Sequence, residues 1–169
     1  MTLNAPPKPT SAVFPRKETA MKPKVLFLCI GNSARSPMAE GYLRHIAGEN
    51  FEVLSAGISP KGIHPLAIEA MKEVGIDIRG QRSRDVQELV GTPIRFVVTV
   101  CSIARERCPI FPSAVTHIHW EIDDPAEAAG TDKEKLSVIR AVRDKVFAHI
   151  NSFVQSRREF QESIRQNTI

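Results

Sequence analysis

The sequence predicts an α/β fold in three layers, with a central four-stranded parallel sheet flanked by helices. Three observations predict it. Short apolar runs of strand length alternate with longer segments of helical period along the chain. Two of the runs, Lys24–Cys29 and Ile94–Val100, are almost continuously apolar rather than alternating, as strands covered on both faces are. The intervening segments are long enough for right-handed helical crossovers. In sheets of this kind ligands bind at the carboxyl ends of the strands. That directs attention to Cys29, which ends the first run, and to Cys101, which ends the third.

Taken in order, residues 1–22 carry Pro6, Pro7, Pro9 and Pro15 with no sustained period, and read as a disordered tail. Lys24–Cys29 is the first strand, broken at Ile30-Gly31-Asn32-Ser33. A helix is expected from Ser36, with Pro37 suited to its first position and Gly48 to its stop. Met38, Tyr42 and Ile46 share one stripe of that helix, with Ala39 and Leu43 beside it. Phe51–Ser55 is the second strand, ended by Ala56-Gly57. Pro65–Val74 reads as a helix closed by Gly75. Ile94–Val100 is the third strand and Val115–Trp120 a fourth, more exposed one. Thr131 and Glu134 have capping-box spacing and open a long helix. Its inner face is Leu136, Ile139, Val142, Val146, Ile150 and Phe153. The polar stretch after Ser156 continues as helix and frays. The domain reading is therefore a tail over 1–22, one α/β domain over 23–156 and a polar helical extension over 157–169.

Composition narrows the class of protein. The chain has 169 residues, 42% hydrophobic and 25% charged, which suits one globular domain. No apolar run approaches the ~18 residues that span a bilayer, and the basic N-terminus lacks the apolar stretch of a secretory signal. The formal charge of +4 belongs to the tail. Lys8, Arg16, Lys17, Lys22 and Lys24 face only Glu18 there, and the rest of the chain balances. With a neutral body, one Trp and one Tyr, nothing marks a nucleic-acid surface. Three cysteines do not pair fully and point to a reducing, cytoplasmic setting. A monomer without nucleic-acid or membrane partners is expected.

Cys29-Ile-Gly-Asn-Ser-Ala-Arg35-Ser36 joins a buried strand to a helix. A cysteine followed six positions later by arginine suits a tetrahedral oxyanion. The amides of Ile30, Gly31, Asn32, Ser33, Ala34 and Arg35 can curl around the anion, and the helix adds the positive end of its dipole. Arg35 can hold two oxygens with its planar fork. The same surroundings favour the thiolate of Cys29. Ser36 can donate to that thiolate or to a departing group. A buried, inert cysteine in a tight turn is the plainer alternative, but the strand before and the helix after weigh against it. The loop lacks the Gly-Lys-Ser/Thr ending of a nucleotide-binding loop, and no Cys-x-x-Cys occurs.

The run Cys29-Ile-Gly-Asn-Ser-Ala-Arg-Ser-Pro-Met-Ala-Glu-Gly41 resembles the signature of the low-molecular-weight protein tyrosine phosphatase superfamily. Within it, the chain looks like the thioredoxin-coupled arsenate reductases. The likeness extends from about Lys24 to about Phe153, through Leu54-Ser-Ala-Gly57, Val97-Val-Thr-Val-Cys-Ser102, Cys108-Pro109 and His119-Trp-Glu-Ile-Asp-Asp-Pro-Ala126. It implies the low-molecular-weight phosphatase fold.

A proton is needed for the oxygen that leaves arsenate or phosphate. Asp123-Asp124-Pro125 is the best source by sequence, although Asp-Pro is also a common turn. By resemblance, the aspartate before the proline is the general acid, which selects Asp124. Phosphatases of this superfamily carry a tyrosine pair after that proline. Ala126-Glu127 stands here instead, which argues against phosphotyrosine peptides.

Two further cysteines separate the candidate activities. Phosphoryl transfer needs one thiolate and water, whereas reducing arsenate to arsenite needs two electrons, which thiols supply by forming a disulfide. The resemblance implies Cys29 as nucleophile, Cys101 as second thiol and Cys108 as third. No bound cofactor is expected. The sequence leaves open whether thioredoxin or a glutathione and glutaredoxin system supplies the electrons, and the third cysteine favours thioredoxin. If residues 101–108 formed one rigid helix, the two Cα atoms would stand roughly 10.5 Å apart, against about 4.4–6.8 Å for a disulfide. The segment is thus expected to bend on oxidation. A core thiol is the plainer reading of Cys108 taken alone. Cys101, Cys108, His117 and His119 do not have a usual zinc spacing. His45, His64 and His149 have no evident partner. Some relatives bind potassium beside the loop. Asn32, Glu40 and Ser55 match those positions, but Arg84 stands where the family has Asp, so no metal is expected. A phosphatase using Cys29, Arg35 and Asp124 is the alternative.

Overall fold

The computed structural model describes residues 21–114 and 116–166. The tail reading thus lies almost wholly outside the described residues. The elements are β1 (Lys24–Cys29), α1 (Arg35–Ala47), β2 (Glu52–Gly57), α2 (Pro65–Lys72), β3 (Phe96–Thr99), α3 (Ser102–Glu106), β4 (Thr116–His119) and α4 (Asp132–Gln166). Short 3₁₀ turns occupy Val86–Leu89 and Pro125–Glu127. The four strands form one all-parallel sheet in the order β2-β1-β3-β4. Sequential strands that are not all neighbours place the order reversal between β1 and β3, and in such sheets that point opens a crevice for ligand.

The faces of β1 divide the core. Val25, Phe27 and Cys29 pack with α1, α2 and α4, whereas Leu26 and Leu28 pack with Val86, Leu89, Cys101, Ala104 and Phe111. Every residue of β1 after Lys24 is buried, as the continuous apolar run requires. On α4 the six expected inner positions are all buried. Thr131 and Glu134 realise the capping box: Thr131 N donates to Glu134 Oε2 at 2.7 Å, and Glu134 N donates to Thr131 Oγ1 at 3.3 Å. Tyr42 of α1 stacks on Phe147 at 3.7 Å and donates to Asn151 at 2.9 Å, tying α1 to α4. Helix α4 runs unbroken past Ser156 to Gln166, with its last two turns exposed.

Several element ends differ from the sequence reading. α1 begins at Arg35, so Pro37 is its third residue, still within the turn whose amides need no internal partner. Gly48 follows its end in right-handed conformation, φ −63°, rather than the left-handed one. β2 includes Ala56 and Gly57. α2 ends at Lys72, because bonds from Val74 N and Ile76 N to Met71 O and from Gly75 N to Lys72 O tighten the exit, with Gly75 at φ +80°. β3 is shorter than its apolar run, although Arg95 N and Val100 N still donate to the carbonyls of Lys24 and Leu28. Consequently Cys101 does not end β3; it caps the start of α3. Among the described residues, no helix is long and apolar enough to cross a membrane.

Candidate active site

The loop after β1 is shaped from outside. The carbonyls of Cys29, Ile30, Gly31 and Ser33 accept from the amides of Ile58, Ser59, Lys61 and His64, at 2.8–3.1 Å. The Asn32 carbonyl accepts from the Ser83 hydroxyl at 3.0 Å. With the carbonyl side committed, the amide side is left for an anion. Asn32 sits at φ +43°, a left-handed conformation that Asn tolerates, and this turns the chain back on itself. Its side chain locks the turn. Nδ2 donates to Ser36 Oγ at 2.9 Å and Ser55 Oγ at 3.0 Å, while Oδ1 accepts from Arg84 N at 2.9 Å.

Gly57 lets β2 approach this turn. A Cβ there would lie 2.7 Å from Ile30 O and 2.9 Å from both Asn32 Cβ and Asn32 N. Gly31, in contrast, has ordinary room for a side chain, so its place in the loop is not forced by crowding.

Cys29 lies within this turn. Its Sγ is 2.8 Å from Ser36 Oγ and accepts from Asn32 N at 3.2 Å. Helix α1 starts beside it with Ala34 at the cap and no side-chain cap, so its first amides are not claimed by a neighbouring side chain. Arg35, 4% exposed, is aimed by two acceptors: Nη1 donates to Ile122 O at 2.9 Å, and Nη2 pairs with Asp124 Oδ2 at 3.0 Å. Asp124 is itself fixed, since its Oδ1 accepts from Ala126 N at 3.0 Å and Pro125 starts the 3₁₀ turn. The loop thus gathers Cys29, Asn32, Arg35, Ser36 and Asp124, whereas Asp123 is exposed and makes no contact with Arg35.

The other two cysteines are not gathered there. All three thiols are free. Cys101 lies in the core cluster on the opposite side of β1 from Cys29, with Cys108 packed against that cluster. Cys101 Sγ accepts from Ala104 N at 3.4 Å as the cap of α3. Residues 101–108 are not one helix: α3 ends at Glu106, two residues before Cys108. Cys108 is half-buried and donates to Pro109 O at 3.4 Å, and burial pushes its thiol pKa up.

Two histidines acquire partners. His64 Nδ1 accepts from Leu66 N at 3.1 Å and caps α2. His149 stacks on Trp120 at 4.9 Å, and burial, then Lys145, lowers its pKa. His119 is engaged with Thr99 and Glu121 rather than with a cysteine. Among the described residues, no group of three or more His, Cys, Asp or Glu is placed to hold a metal. The oxygens at the potassium-matching positions are already used. Glu40 bonds Arg44 with one oxygen and the Ser55 hydroxyl with the other, and Asn32 Oδ1 takes an amide. A carboxylate matched by a guanidinium does not suit a cation, so these residues do not fit one.

Sequence reasoning missed Ser83, Arg84 and the Ile122 carbonyl as supports of the loop and of Arg35. Ser83 and Arg84 lie about fifty residues from Asn32 and carry no local signal.

Residues 24–166 match the low molecular weight phosphotyrosine protein phosphatase family. An arsenate reductase of Oceanobacillus iheyensis is 46% identical over 132 residues, covering 78% of this chain and 95% of that protein. A solved arsenate reductase in the phosphate-binding state superposes with a TM-score of 0.69 at 32% identity, over 80% of this chain and 98% of that one. The thioredoxin-dependent arsenate reductase of Corynebacterium glutamicum gives 0.66 at 28% identity, over 82% of this chain and 63% of that one.

Proposed function

The chain belongs to the low molecular weight phosphotyrosine protein phosphatase family, and on that premise we propose how it acts. It is an arsenate reductase that converts arsenate to arsenite through a thiolate nucleophile and a three-cysteine disulfide relay, in arsenic detoxification. The observation that carries this over plain ester hydrolysis is the pair of further free thiols, Cys101 and Cys108, bracketing the short helix α3. The family relative at 46% identity is an arsenate reductase.

Arsenate enters the loop with its oxygens on the amides of residues 30–35 and on Arg35. The Cys29 thiolate, steadied by Asn32 N and Ser36 Oγ, attacks arsenic. When the arsenate oxygens take the Arg35 fork, Asp124 leaves its ion pair with Arg35, takes up a proton from water and gives it to the departing oxygen, which leaves as water. Cys101 then attacks Cys29 Sγ. The sulfur–sulfur bond forms, the sulfur–arsenic bond breaks, and its electron pair goes to arsenic, so arsenic(V) leaves as arsenic(III). Cys108 attacks Cys101, forms the second disulfide and frees Cys29 as thiolate. A dithiol protein of the thioredoxin type returns two electrons and two protons to Cys101 and Cys108. The division of the thiols between two sides of β1 supports a relay assembled by movement rather than one built in advance.

Arsenate-dependent oxidation of NADPH in the presence of thioredoxin and thioredoxin reductase tests this. Turnover is expected. Hydrolysis of p-nitrophenyl phosphate with no arsenate-dependent NADPH oxidation would leave only the phosphatase activity of this site.

A further inference from the structure

A chain of polar contacts joins the end of the sheet to α3 and takes no part in holding the anion. Thr99 Oγ1 lies 2.9 Å from His119 Nδ1, and His119 Nε2 lies 2.9 Å from Glu121 Oε2. Ser102 Oγ donates to that same Oε2 at 2.8 Å. A carboxylate only accepts, so the imidazole proton is on Nε2 and two donors converge on one oxygen. The Ser102 hydroxyl, and then His119, hold the Glu121 carboxyl below the ordinary range, so it is ionised at neutral pH.

Position gives this contact its meaning. Ser102 is the first residue of α3 and directly follows Cys101. Glu121 directly precedes Ile122, whose amide donates to Val100 O at 3.2 Å and whose carbonyl receives Arg35. α3 has five residues, of which only Ala104 is buried. A single helical turn has little stability of its own. It is held by few contacts, and the Ser102–Glu121 bond ties its start to the segment just after β4, where Glu121 also bonds His119.

We propose that Glu121, oriented by His119, is a positioning residue for the relay: through Ser102 it keeps α3 folded while Cys101 and Cys108 are thiols, and it releases Ser102 when they join. This rests on the three-thiol reading above. In the step concerned, the Cys108 thiolate attacks Cys101 Sγ, the Cys101–Cys108 bond forms, the Cys29–Cys101 bond breaks, and its electron pair leaves on Cys29. Helical geometry runs from Cys101 to Arg107, whose N still donates to Ile103 O, a rise of roughly 9 Å over six steps. A Cys101–Cys108 disulfide wants its Cα atoms within about 7 Å, so joining the two thiols is expected to open that turn. A tie that favours the folded turn favours the dithiol. It therefore makes the final disulfide easier for an external dithiol to reduce.

The test equilibrates the full chain in mixtures of oxidised and reduced dithiothreitol and measures the Cys101–Cys108 disulfide by peptide mass mapping. Ser102→Ala is expected to shift the equilibrium toward the disulfide by about threefold to tenfold, the size of one ordinary net hydrogen bond, because solvent exposure removes the extra strength of the charged acceptor. Glu121→Ala moves it in the same direction. Ser102→Thr keeps the hydroxyl and stays within about twofold of wild type. Alkylation of Cys29 by iodoacetamide, and its protection by inorganic phosphate, are unchanged in all three, which a general loss of stability would not leave so. Identical equilibria for wild type and Ser102→Ala, or equal shifts for Ser102→Ala and Ser102→Thr, overturn the proposal. A wild-type chain that forms no Cys101–Cys108 disulfide in oxidising buffer overturns the relay reading itself.

Discussion

Gly57→Ala adds one methyl group at the point where β2 passes closest to the anion loop. The new carbon would stand 2.7 Å from Ile30 O and 2.9 Å from Asn32 N and Asn32 Cβ. Two of those atoms are backbone, and Asn32 is pinned through Ser36, Ser55 and Arg84, so the contact cannot be relieved by turning a side chain. Overpacking of this kind costs about 1–3 kcal/mol. For a domain of this size, each kcal/mol lowers Tm by roughly 2–4 °C, so a fall of about 2–12 °C is expected. The strain falls on residues 30–32, whose segment is proposed to hold the anion and whose Asn32 amide steadies Cys29 Sγ. A displacement near ~1 Å in a positioned site costs on the order of a hundredfold. Phosphate or arsenate protection of Cys29 against alkylation should therefore weaken by about tenfold to a hundredfold. The Cys101–Cys108 redox equilibrium, on the far side of β1, should not change. Wild-type Tm together with wild-type protection by oxyanion would refute the argument, because it would mean that the loop has slack the packing denies.

Three further outcomes follow from the charges and thiols. Asp124→Asn removes the proton donor and the partner of Arg35; hydrolysis of p-nitrophenyl phosphate should fall by about 10²–10⁴-fold with little loss of phosphate binding, and an equal fall in both would assign Asp124 to binding alone. Cys108, raised by burial, should be alkylated with an apparent pKa above the ordinary thiol value in the reduced fold, and a midpoint below that value would contradict its half-buried placement. Glu73 is held low first by its bond to Arg140, with Arg143 adding to it. Its contribution to stability is present above its unfolded pKa and is lost as pH falls through the depressed folded value. Urea unfolding of wild type and Glu73→Gln should therefore converge in acid, and a gap independent of pH would show that the ionised form is not what matters.

What could be read from the chain was local. The capping box at Thr131–Glu134 and the inner face of α4 repeat at helical spacing, so sequence alone places them. The Cys29–Ser36 loop stands out because one short stretch holds the proposed nucleophile Cys29, the cation Arg35 and the start of α1. Element ends were less legible, since they depend on pairing. Arg95 and Val100 belong to the apolar run and donate to β1, yet β3 extends only over Phe96–Thr99. Contacts between distant segments were not legible from spacing, and only the family resemblance pointed to Asp124 beside Arg35. Ser83 meets Asn32, His149 meets Trp120, and Ser102 meets Glu121 only after the sheet is assembled. Cys29 and Cys101 fall in different core clusters because Cys29 ends β1 whereas Cys101 lies past β3 as the cap of α3, a placement set only by the assembled sheet.

The most direct measurement of the central claim is a single-turnover experiment on Cys108→Ser with arsenate and no external reductant. The account predicts about one equivalent of arsenite per chain and a trapped Cys29–Cys101 disulfide, found by peptide mapping, with p-nitrophenyl phosphate hydrolysis by the reduced variant close to wild type. It predicts no sustained arsenate-dependent NADPH oxidation when thioredoxin and its reductase are added. Sustained turnover by Cys108→Ser at the wild-type rate, or release of arsenite without any disulfide at Cys29, would contradict the relay.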